Sequence, residues 1–263
     1  MSFRYVTPII WSFLIIIIAG CAARPPRTVP HDLTVSRVLE VLEERQNRIR
    51  DFSAGARVTA VTNGVPENAT LLVRYLAPDR LRVYIKGFVG IDVARVSVLS
   101  DSVVVWILPD NYFFRVHRES LMLAGIVPEL GVGFDTIAAA FASTLPPASD
   151  RDRYVISLER GDATAVLVLA GDGVVRRIYL EGPDLLIRRE DISHGGEIIL
   201  TKSVESYRSV DGVSFPARVT VGHGSDTMTL SFSDITLNLG FREDDLLFSI
   251  PPSVRQVWVG SQP

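Results

Sequence analysis

Apolar positions between residues 33 and 52 recur at three-, four- and seven-residue steps: Val35, Val38, Leu42, Ile49 and Phe52. Glu40, Glu43, Glu44, Arg45, Gln46, Arg48 and Arg50 fill the other positions. The pattern predicts an amphipathic helix over Leu33–Asp51 whose apolar stripe needs a surface to cover, with Asp32 or Thr34 as its N-cap. The period then changes to two. Strands are predicted at Ala54–Thr62, Thr70–Leu76, Leu81–Lys86, Ile91–Leu99, Val103–Leu108 and Tyr112–His117. Asn63-Gly64 is a strong hairpin signal, and a phase change near Ala94-Arg95 suggests a bulge. Ser120–Val127 and Gly133–Ser143 break the rhythm and read as short helices or an apolar flap, with Ile137, Ala138, Phe141 and Ala142 on one face. Strands resume at Tyr154–Leu158, Ala163–Ala170, Val174–Leu180, Leu185–Ile192, Glu197–Tyr207, Phe215–Gly222 and Thr227–Ile235. The fold class expected is mainly β with helices: eleven or twelve short antiparallel strands in a large curled sheet covered on its concave face.

The first residues carry a different signal. Arg4 is a minimal basic region, and Ile9–Ile18 is apolar apart from Ser12. A membrane-spanning helix needs about 20 apolar residues, so this shorter run fits a secretory signal better. Ile18-Ala19-Gly20-Cys21 resembles the bacterial lipobox, in which the cysteine thiol receives diacylglycerol and becomes the new N-terminus. That resemblance implies residues 1–20 as a signal peptide and Cys21 as the lipid-attachment residue. Ala22 is not the aspartate associated with inner-membrane retention, so the resemblance points to the outer membrane, facing the periplasm. Pro25, Pro26 and Pro30 make residues 21–32 a semi-rigid tether. Residues 33–252 then form one domain and 253–263 a C-terminal tail.

Composition narrows the chemistry. The chain has 263 residues and a formal charge of −3, which gives no electrostatic reason to expect nucleic acid. Its cations are almost all arginine; Lys86 and Lys202 are the two lysines. Cys21 is the single cysteine, and the four histidines lack ligand-like spacing, so no metal or other cofactor is implied. There is no Gly-x-Ser-x-Gly elbow, phosphate-binding loop or dinucleotide fingerprint. His223, Ser225 and Asp226 are the only local candidates for a lipid-active hydrolase, and their run reads as a hairpin loop. The chain reads as no enzyme.

Several phrases, in order, resemble the LolA/LolB-like superfamily of bacterial lipoprotein carriers and outer-membrane receptors. After the amphipathic helix come Phe52-Ser53-Ala54-Gly55-Ala56-Arg57-Val58 and Tyr75-Leu76-Ala77-Pro78-Asp79-Arg80-Leu81-Arg82-Val83. Asp211-Gly212-Val213-Ser214-Phe215-Pro216-Ala217-Arg218-Val219, Asp234-Ile235-Thr236-Leu237-Asn238 and Phe248-Ser249-Ile250-Pro251 follow. The resemblance implies an incomplete antiparallel β-barrel of about 11 strands with a helical lid, a half-barrel whose apolar cavity takes acyl chains of lipoproteins or phospholipids, lined here by Leu81, Val83, Ile85, Trp106, Ile137, Phe141, Met228, Leu230 and Phe232. It also implies a protruding loop, Lys86–Ile91, whose Phe88, Val89 and Ile91 enter the bilayer, Val89 matching the inserting residue best. The membrane, through the lipid anchor, and a soluble periplasmic carrier are the partners implied. The same fold filled by its own side chains would instead suit a non-transporting envelope assembly or sensing lipoprotein.

Overall fold

The structure is a computed structural model and describes residues 28–87, 90–117, 145–146, 148–161 and 163–259. Helix α1 (Val35–Asn47) starts at Thr34, whose side-chain oxygen accepts the Arg37 backbone N–H at 3.2 Å. Its buried residues are Val38 and Leu42. It ends sooner than the apolar spacing predicts. Ile49 already donates to the Gln46 carbonyl in a tightened last turn, and Phe52 lies in the first strand. The helical spacing ran on because the first inward strand positions happen to continue it.

Six strands precede the central segment: β1 (Asp51–Thr62), β2 (Val65–Leu76), β3 (Arg80–Lys86), β4 (Asp92–Val98), β5 (Ser102–Ile107) and β6 (Tyr112–His117). Seven follow it: β7 (Val155–Arg160), β8 (Thr164–Gly171), β9 (Val174–Glu181), β10 (Leu186–His194), β11 (Glu197–Val210), β12 (Val213–His223) and β13 (Asp226–Leu237). These thirteen are joined antiparallel, with β1 beside β13 linking the two meanders. Residues 253–263, expected as a tail, contain a further strand, β14 (Arg255–Val259), which pairs parallel with β6. The single 14-stranded sheet ends on β14 and β7, which do not pair with each other, so the barrel stays incomplete.

Local sequence sets the hairpins. Asn63-Gly64, Asp172-Gly173 and Asp211-Gly212 all have positive φ at both positions, the two-residue turn that matches the strand twist. In the β3–β4 ladder Ile85 faces Ala94 and Lys86 faces Asp92, leaving Val93 bulged, one residue from the expected phase change.

The face covered by α1 is the inner face. Its larger apolar cluster runs across β1–β6 and β11–β13. A second packs Val38 and Leu42 of α1 on Ala165, Leu167, Leu169, Ile178 and Leu180 of β8 and β9. The sheet curls strongly enough that Phe52 of β1 reaches Phe215 of β12 across the intervening β13, ring centroids 5.0 Å apart. The outer face of β4–β6 is covered by the segment after β13, which packs Leu246, Phe248, Ile250 and Val254 on Val104, Trp106 and Phe113. The Asp51 carboxylate fixes where that segment leaves the sheet, accepting the Leu239 N–H at 2.6 Å and the Gly240 N–H at 3.0 Å.

Candidate functional site

Leu81, Val83 and Ile85 of β3 and Met228, Leu230 and Phe232 of β13 meet in the larger inner cluster, each 6% exposed or less. Register explains how residues so distant in sequence share a surface. Ile85 pairs with Leu71, Leu71 with Ala56, and Ala56 with Phe232, giving one row across four strands.

Trp106 departs from this group. Val103, Val105 and Ile107 of β5 point inward, so Val104 and Trp106 point outward. Trp106 stacks on Phe248 at 6.3 Å and carries the Arg95 guanidinium over its ring at 5.0 Å. Every residue of β5 is buried, so alternation could not say which side chains face in. Cys21, Phe88, Val89, Ile137 and Phe141 lie outside the described residues.

Part of the inner concavity is filled by rings. Phe52 stacks on Tyr75 at 5.1 Å and meets Phe215 and Phe232 edge-on. Tyr207 of β11 donates from its hydroxyl to the Ile187 carbonyl at 2.6 Å.

Between the two inner clusters sits a charged group that the sequence pattern did not single out. Glu190 of β10 pairs with Ile178 on one side and Lys202 of β11 on the other, and Lys202 pairs with Val221. Ile178 belongs to the cluster under α1 and Val221 to the larger one, so both ionisable side chains project inward. Glu190 is 4% exposed and Lys202 8%. Arg176 of β9 joins them, its Nε 3.0 Å from a Glu190 carboxylate oxygen, with about a quarter of its side chain exposed (26%). Burial pushes the Glu190 carboxyl above its usual range, against the pull of Lys202 and Arg176. Burial pushes the Lys202 ammonium below its usual range; Glu190 opposes this and Arg176 adds to it. Two ionisable groups buried among Ile, Leu and Val, with Arg176 partly exposed beside them, contribute little to stability, because desolvation offsets their attraction. Buried ionisable groups shifted in this way occur both at functional sites and in structural ion-pair networks.

Strand direction places the β1–β2 turn, the β3–β4 loop, the β10–β11 turn and the β12–β13 turn on one rim. Ile91, in the β3–β4 loop, is 63% exposed, and Val65, at the β1–β2 hairpin on the same rim, is 60% exposed. The His223–Asp226 run is the β12–β13 hairpin on this rim. Asp226 accepts the Asn63 backbone N–H at 3.2 Å, which ties two neighbouring turns together. Among the described residues no helix is long and apolar enough to cross a membrane, and no cluster of His, Cys, Asp and Glu could hold a metal ion.

No family model matches the sequence, and no curated protein matches it. Solved structures do match the fold. A LolA superfamily protein from Nitrosomonas europaea aligns over 82% of this chain and 98% of its own, at 14% identity and TM-score 0.57. A domain from Vibrio parahaemolyticus, described as outer-membrane lipoprotein sorting, aligns over 81% and 97% at 12% identity and TM-score 0.56. A DUF1329 family protein from Desulfovibrio piger aligns to the same extent, also at 12% identity and TM-score 0.56. At these identities the likeness concerns architecture, and this chain has the LolA-like fold.

Proposed function

We propose that this protein is a lipid-anchored lipoprotein of the bacterial outer membrane. It holds acyl chains of lipoproteins or phospholipids against the inner face of its sheet and passes them to the membrane, without performing catalysis. One observation carries the reading. The inner face is a broad apolar surface on an open sheet, and α1 packs on the β7–β10 half of it. Leu81, Val83, Ile85, Met228, Leu230 and Phe232 line the other half. Each of these six is 6% exposed or less, so other parts of the chain cover them and an acyl chain enters by displacing that cover. Cys21 supplies the anchor, and Phe88, Val89 and Ile91 form the apolar tip that meets the bilayer. The lipoprotein-sorting description of the similarly folded Vibrio parahaemolyticus domain agrees with this role.

Displacement of a polarity-sensitive dye by an acylated peptide tests the reading. Saturable displacement supports acyl binding, and dye that never binds contradicts it. A second reading rests on the ring cluster of Phe52, Tyr75, Phe215 and Phe232, which fills part of the concavity from within. If the remainder is filled in the same way, the protein is an envelope assembly or sensing module, and the dye finds no site.

A further inference from the structure

We propose that the β10–β11 hairpin, through Ile198 and Ile199, is a second point at which the rim enters the lipid bilayer, so that two contacts rather than one set how the domain sits on the membrane. This rests on the reading of the β3–β4 loop as a membrane contact and adds a second contact and a fixed orientation.

Two consecutive isoleucines on a strand ordinarily point to opposite faces, and one of them is buried. Here both are exposed, Ile198 at 52% and Ile199 at 42%. They lie beyond Leu200, which still packs on the larger inner cluster. The ladder also slips at this point: Ile192 faces Leu200 and Ser193 faces Ile198, leaving Ile199 bulged. The turn itself is Gly195-Gly196, both at positive φ, and a Cβ added at either would meet nothing within 4 Å. The hairpin tip therefore stands clear of the described residues around it, with two aliphatic side chains where a turn is ordinarily polar. Position gives the exposure a direction. Of the exposed large apolar side chains among the described residues, Val65, Ile91, Val155, Ile198 and Ile199 all lie at this one end of the strands. They stand on separate strands as isolated points, and His194 and Glu197 beside the isoleucines are exposed and polar. A fluid bilayer accepts such points wherever they fall, whereas a folded partner needs a matching pocket for each. Residues 61–68 and 193–200 contain no Trp, Tyr or Arg, the side chains that anchor protein interfaces. The anchor expected at Cys21 keeps a bilayer within reach. Spacing supplies the consequence. Five strand spacings separate β3 from β11 in the sheet, about 24 Å along its curve. A domain held by a tether and one loop can rock about that loop. A second contact at this distance stops the rocking, and each contact raises the effective concentration of the other at the surface.

The test uses the full chain in isolated cell envelopes, with the photoreactive residue benzoylphenylalanine placed in turn at Ile198, at Ile91 and, as a control, at Leu72. Leu72 is exposed on the outer face of β2, away from the rim. Irradiation captures whatever lies against each position, and intact mass separates phospholipid adducts from protein adducts. Phospholipid adducts are expected at positions 198 and 91, with none above background at 72. Ile198→Ser combined with Ile199→Ser should lower the phospholipid adduct formed at position 91 by about tenfold, the loss of two half-exposed isoleucines from a two-point contact. An unchanged yield at 91 in that variant overturns the inference. Phospholipid capture at 91 but not at 198 also overturns it and leaves the loop contact standing. Protein adducts at 198 overturn it in favour of a docking partner, and equal phospholipid capture at 72 overturns it by removing any preference for the rim. If neither 91 nor 198 captures phospholipid, the rim contact itself falls, and this inference with it.

Discussion

Tyr207 shows how a single side chain couples the inner face to solution conditions. Its hydroxyl is bonded to the Ile187 carbonyl, and burial pushes the phenol up to about 12. The folded protein thus holds this proton more tightly than the unfolded chain, whose phenol titrates near about 10. The stability Tyr207 contributes is complete below about pH 10 and is lost as the pH rises through about 12. Tyr75 is shifted in the same direction by burial. Urea unfolding at a series of alkaline pH values should show stability falling across that window, with a shallower fall in Tyr207→Phe. Asp51 offers a test that does not depend on pH. Its carboxylate satisfies two backbone N–H groups where the last segment leaves the sheet. Asp51→Ala should cost about 1–3 kcal/mol, read from the urea midpoint. The charged group at Glu190 and Lys202 was not legible in the sequence. The run Arg188-Arg189-Glu190-Asp191 offers no alternation to read, and only the register with Ile178 and Val221 shows which of its members turn inward.

The elements differ in how far their own sequence determines them. Hairpins closed by Asn63-Gly64, Asp172-Gly173 and Asp211-Gly212 were readable because the turn geometry requires residues that tolerate positive φ. Strand β14 was not readable. Its partner β6 lies far earlier in the chain and pairs with it in parallel, and no turn signal announces a contact of that kind. Trp106 was misplaced for a related reason. β5 is covered by the inner cluster on one side and the Leu246–Val254 segment on the other, so its apolar run has no polar face. Helix α1 was readable in kind, and its C-terminal limit was not, because Ile49 and Phe52 continue the helical spacing while packing with the strands. Within α1, Leu42 anchors the cover over β8 and β9. Leu42→Ala should destabilise the protein by about 2–5 kcal/mol, and amide exchange should quicken first in β8 and β9. Thr34→Ala, which removes the N-cap, should cost only about 1 kcal/mol in the same unfolding assay.

For the molecule as a whole, the arrangement joins an apolar inner face, a rim with exposed Ile91 and Val65, and an anchor expected at Cys21. On this account the rim mediates contact with the bilayer. Val89→Glu and Ile91→Glu should each reduce transfer of acylated cargo into vesicles, measured by flotation, while leaving dye displacement unchanged. Transfer that proceeds equally well in both variants would remove the rim from the mechanism. The most direct test of the central claim is native mass spectrometry of the chain from Ala22 onward after incubation with a membrane extract. The account predicts bound masses that match phospholipid or acylated peptide and that diminish when an apolar dye competes. A clean unliganded mass, with no dye bound, would contradict it and would mean that the inner face is closed by its own side chains.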